Sequence, residues 1–116
     1  MKIIDKNGGF QGDLAIIPVG EIPATAKEQP KEQRVVLAHS ETGHHHAVDN
    51  NPEQSVVLFA TDNPRVAFLR VDSDHADVVH HRDWHTHETW RLPRGSYQIN
   101  RQEELRPDGF WTPVAD

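Results

Sequence analysis

The sequence predicts an all-β fold, a single compact antiparallel sandwich or barrel of the jelly-roll or cupin-like kind, with residues 1–116 forming one domain. Three observations predict it. Apolar spacings of three and four are missing over any long stretch, so helix signals are poor. Valine, isoleucine and threonine recur in short runs. Turn residues interrupt those runs every ~8–12 residues. A chain of 116 residues suits one domain, and one of this size buries roughly two-thirds of its unfolded surface, enough for a core without covalent staples.

The elements follow in order. Gly12-Asp13 leads into the apolar run at residues 14–19, the first strand. Residues 21–33 form a polar connection with room for a helical turn at 24–28, limited by Pro23 and Pro30. Residues 34–38 are a strand, 41–43 a turn, and 44–48 the strand that returns from it. After a turn at 49–52, residues 55–60 and 65–71 flank Thr61-Asp62-Asn63-Pro64 as a hairpin. Residues 76–81 are a short strand, and 85–92 approach a Pro93-Arg94-Gly95 turn. Residues 96–102 alternate Tyr97, Ile99 and Arg101 against Ser96, Gln98 and Asn100. A turn at 107–109 and a closing strand at 110–114 complete about eight strands.

Composition excludes several classes. There is no cysteine, so disulfides, thiolate metal sites and cysteine nucleophiles are ruled out, and a cytoplasmic setting is expected. The start has no long apolar region of the signal-peptide kind, and the longest apolar run, 14–19, is too short to span a bilayer. No membrane partner is expected. A formal charge of −6 argues against nonspecific nucleic-acid binding. Arg82, Arg91, Arg94, Arg101 and Arg106 concentrate positive charge in the last third, read chiefly as a solvated mixed-charge surface and secondarily as a place for a small anionic ligand.

All nine histidines fall within residues 39–87. They form two stretches, one with His39, His44, His45 and His46, the other with His75, His80, His81, His85 and His87. Each contains a His-x-His pair, His44-x-His46 and His85-x-His87. On a strand, residues two apart share a face, so each pair offers two imidazoles side by side. Two such pairs brought together could hold zinc, iron, nickel or manganese. Asp83 could serve as a ligand or orient a ligating imidazole, and Trp84 and Trp90 could supply apolar walls. The competing reading is a polar strand edge with core tryptophans.

The cupin comparison is loose. Pro93-x-Gly95 matches a cupin motif, but Gln98 stands where its histidine would be, and Glu88 follows His87 too early for the usual acidic ligand. Ser40, His39 and Asp49 match a hydrolase trio by type alone, with no nucleophile elbow. No glycine-rich phosphate loop is present.

Residues 11–19 (Gln-Gly-Asp-Leu-Ala-Ile-Ile-Pro-Val), Thr42-Gly43-His44-x-His46-x-Val48, His87 before Leu92-Pro93-x-Gly95-x-Tyr97, and Arg101-Gln102-Glu103 with a closing Val114-Ala115-Asp116 together resemble a family of small uncharacterised bacterial and phage proteins. The resemblance covers nearly the whole chain and singles out His44, His46 and His87. Trp84 falls where many members carry a histidine, which passes that role to His85 or His80. Glu104-Leu105 replaces the usual Glu-Tyr.

Two functional readings follow. The first is a small metal-binding β-domain with His44, His46 and His87 as ligands and His85 or His80 as the fourth group, its reaction unspecified. An open coordination position would let it activate water or bind a small anion near Arg101. The second is a non-enzymatic structural or interaction module of a phage or mobile element, with its histidines at the surface or between subunits of a homo-oligomer.

Overall fold

The computed structural model describes residues 1–12, 14–39, 45–81, 88–101, 103–105 and 111–113. Among them are eleven strands and no helix. In chain order they are β1 (Lys2–Ile3), β2 (Gly9–Gln11), β3 (Leu14–Val19), β4 (Lys27–Glu28), β5 (Arg34–His39), β6 (His45–Asp49), β7 (Val56–Ala60), β8 (Val66–His81), β9 (Trp90–Arg101), β10 (Glu103–Leu105) and β11 (Trp111–Pro113). The main sheet runs β2-β3-β9-β8-β6-β5, with β1 beside β9, β7 beside β8 and β4 beside β7. Its pairings are antiparallel except for β1 with β9. The sheet curls into a half-barrel, the form that the expected sandwich or barrel takes. No helix here is long and apolar enough to cross a membrane.

Two long strands organise the curl. β8 pairs with β9 along most of its length, and gives its other edge first to β7 and then to β6. β9 likewise gives its other edge to β1 at one end and to β3 at the other. The hairpin expected around 61–64 is present: Thr61 Oγ1 donates to the Val66 carbonyl, and Asn63 Oδ1 accepts from Arg65 N.

Three expectations are corrected. Residues 24–28 form no helical turn; a turn closed by Ala26 N and the Pro23 carbonyl at 3.0 Å leads into β4, which pairs with β7. Residues 76–81 are no separate strand but the end of β8. Pro93-Arg94-Gly95 is no turn, since it lies inside β9. Pro93 sits opposite His75, beyond a register shift between Val71 and His75, and such an irregularity tolerates a residue without an N–H. Gly95, with φ of 150°, takes up the accompanying bend. The local residue types that suggest a reversal here make a kink in a continuous strand.

That register shift also decides which side chains face inward. Before it, Ala67, Leu69 and Val71 are buried; after it, Ala76, Val78 and His80 are. The inward set changes from odd to even positions. An unshifted strand would have presented position 81, rather than 80, on the inner face. Opposite these lie Leu14 and Ile16 of β3, Leu92, Tyr97 and Ile99 of β9, and Val48 of β6, all buried.

On the outer face, Asp77 of β8 is paired across the ladder with Arg91 of β9. The guanidinium donates to both carboxylate oxygens, at 2.8 and 3.1 Å. This hydrogen bonding holds the Asp77 carboxyl below its ordinary value of 3.8, with burial opposing. A lowered folded-state pKa gives stability that is present above the unfolded value and lost as pH falls through the folded one. Asp77→Asn should therefore lower the urea midpoint near pH 6 by an amount worth about 1 kcal/mol or less. The difference should shrink as pH falls below the ordinary carboxylate value and through the lowered folded-state one. An equal difference at both pH values would contradict the pairing.

Candidate functional site

Histidine continues the inward stripes of two adjacent strands. On β6 the stripe runs from Val48 to His46, and on β8 from Ala76 through Val78 to His80. His46 and His80 are 1% and 0% exposed, which places two imidazoles in the wall of an apolar core. They are register partners across the β6–β8 ladder. Their rings stack face to face, with centroids 4.1 Å apart and planes 8° from parallel. One histidine comes from each of the two sequence stretches. The Nδ1 atoms of His45 and His80 are also buried.

A third buried polar side chain completes the group. Gln11, at the end of β2, is 1% exposed. Its Nε2 lies 2.9 Å from the Val78 carbonyl and 3.0 Å from the Glu88 carbonyl. Its Oε1 lies 2.8 Å from His46 Nδ1. β2 and β6 are four steps apart in the sheet order, which in a flat sheet would be about 19 Å. The curl of the sheet creates this contact, and three hydrogen bonds offset the desolvation of a buried amide.

The backbone register gathers further histidines at the same strand ends. His39 at the end of β5, His45 at the start of β6 and His81 at the end of β8 are register partners in one cross-strand row. Adjacent positions in such a row lie ~5 Å apart. The neighbouring row holds Ala38, His46 and His80. His44 directly precedes β6 in the chain, while His85 and His87 lie between β8 and Glu88. These three, with Asp83 and Trp84, fall outside the described residues. Among the described residues, no group of three or more histidine, aspartate or glutamate side chains is arranged to hold a metal ion.

Other expected participants stand apart. His75 lies about 16 Å along β8 from His80, opposite Pro93. Glu88 turns its carboxylate to the surface, 3.8 Å from Lys2 Nζ. The Arg101 guanidinium donates to the carbonyls of Leu37 and Pro64, tying β9 to β5 at the irregularity between Val36 and Ala38. Asp49 pairs with Arg34 at the far end of β6, about 13 Å along the strand from His45. His39, the register partner of His45, and Asp49 thus belong to opposite strand ends, and no hydrolase trio assembles from them. Trp90 is partly buried and packs against the core.

Gln11 was not singled out by the sequence. A signal existed: Gln11 stands only three positions before Leu14, and the two are cross-strand partners. Leu14 is an obvious core residue, and partners share a face.

Residues 10–102 match the model of a family described as a domain of unknown function, DUF8820. The chain belongs to that family. No curated protein and no solved structure matches it.

Proposed function

We propose that this DUF8820 protein is a small metal-binding β-domain whose ligands are imidazoles gathered where β5, β6 and β8 end together. One observation carries the reading: the antiparallel register joins the two histidine stretches, pairing His45 with His81 and His46 with His80. Histidines that are distant in sequence thereby share one end of the half-barrel. Neutral imidazole without thiolate suits zinc, iron, nickel or manganese.

The ligand set combines His46 with His44, His87 and one further group, His85 or His80. The stacked geometry favours His85. Lone pairs lie in the ring plane, and two rings 8° from parallel direct theirs side by side rather than toward a common point. As they stand, only one of that pair can serve a given ion, and the other packs against it.

The test is metal uptake by tag-free protein, stripped with chelator and dialysed against zinc. About one equivalent retained per chain is expected for a site of this kind. Less than about a tenth of an equivalent of zinc, and equally little of iron, nickel or manganese, would contradict the reading.

A second reading, a non-enzymatic structural or interaction module, draws on the same stack. A parallel pair of buried rings with a hydrogen-bonded glutamine is also a way to fill a core. Under that reading His44→Ala and His46→Ala leave any self-assembly unchanged and no metal is retained.

A further inference from the structure

Gln11 has two kinds of polar atom, and its surroundings leave it one orientation. Two backbone carbonyls, of Val78 and Glu88, lie 2.9 and 3.0 Å from Nε2. Carbonyl oxygens only accept, so the amide nitrogen must face them; turning the amide over would set three acceptor oxygens against one another. Oε1 is then directed at His46 Nδ1, 2.8 Å away. An amide oxygen has no proton to give, so Nδ1 must carry it. In a neutral imidazole the lone pair then resides on Nε2.

We propose that Gln11 is a positioning residue that holds His46 in the Nδ1–H tautomer and so makes Nε2 its metal-binding nitrogen; this rests on the metal-binding reading above. The arrangement has the logic of an outer partner that orients a ligating imidazole. It differs from the common carboxylate in being neutral, so it fixes the tautomer without adding charge to a core that is otherwise apolar. Gln11 is itself held from two sides: Val78 belongs to the strand that carries His80, and Glu88 closes the segment that carries His85 and His87. One amide thus links the second histidine stretch to the ring of the first that it orients.

The experiment has two arms. In metal-free, nitrogen-15-labelled, tag-free protein at a pH where the imidazole is neutral, long-range nitrogen–proton spectra report the tautomer of His46. The expected result is a protonated Nδ1 and an unprotonated Nε2. A protonated Nε2 would overturn the inference. In the second arm zinc affinity is compared between the wild type and Gln11→Met, which keeps the length and removes the amide. A loss of about 10–100-fold is expected, with mixed tautomers at His46. Unchanged affinity in a folded variant would overturn the inference and leave the metal reading standing. A wild type that takes up no metal would overturn the metal reading and this role of Gln11 together, whatever the tautomer. Should Gln11→Met not fold, the wild-type tautomer decides.

Discussion

His46→Ala is expected to lower the stability of the metal-free protein by about 2–4 kcal/mol. Three losses add. The ring is 1% exposed, so its removal leaves a cavity. His80 loses the face it stacks on at 4.1 Å. Gln11 cannot turn to compensate, because its nitrogen is committed to two carbonyls, and its buried oxygen loses its donor. Urea unfolding of chelator-stripped wild type and variant measures the change as a shift in midpoint at constant slope. A change under about 1 kcal/mol would mean that the hydrogen bond and the stack are not formed in solution. The same substitution should abolish zinc retention, and the two effects separate because the first is measured without metal.

Gly8→Val should be comparably severe, by about 3 kcal/mol or more, for reasons of backbone alone. Gly8 has φ of 74°, which a β-branched residue adopts only with strain. A Cβ there would also lie 2.4 Å from the Ile16 carbonyl oxygen and 3.2 Å from Ile17 Cα, neither of which can swing away. The glycine closes the turn in which Gly8 N meets the Asp5 carbonyl at 3.0 Å, just before β2. β2 carries Gln11, so the strain should also disturb His46. Gly8→Asn separates the causes: asparagine tolerates positive φ but brings the same Cβ. Both variants are expected to be clearly destabilised, valine more than asparagine because it adds the strain of positive φ to the clash, read from their thermal midpoints. A near-wild-type asparagine variant would contradict the close approach to Ile16.

Much of this was legible in the sequence, and the failures have physical reasons. The Tyr97/Ile99 alternation, the run at 14–19 and the hairpin around 61–64 could be read because each depends on local pattern and turn chemistry. Pro93-x-Gly95 misled, because the same residues serve a turn and a kinked strand, and only the partner strand decides. The inward placement of His80 could not be read at all. It depends on a register shift within β8 that no local pattern announces. The idea that two histidine stretches approach one another came from residue spacing; that they do so through the β6–β8 ladder required the fold. Gln11 lay hidden because its role arises from the curl of the sheet, which brings the first hairpin against a strand four positions away.

The most direct measurement is anomalous scattering from crystals of tag-free protein grown with zinc, with data collected on both sides of the zinc absorption edge. A peak is expected about 2.0–2.1 Å from imidazole nitrogens of both histidine stretches, His46 Nε2 among them. Absence of any peak at the shared ends of β5, β6 and β8, or a peak held by one stretch alone, would contradict it.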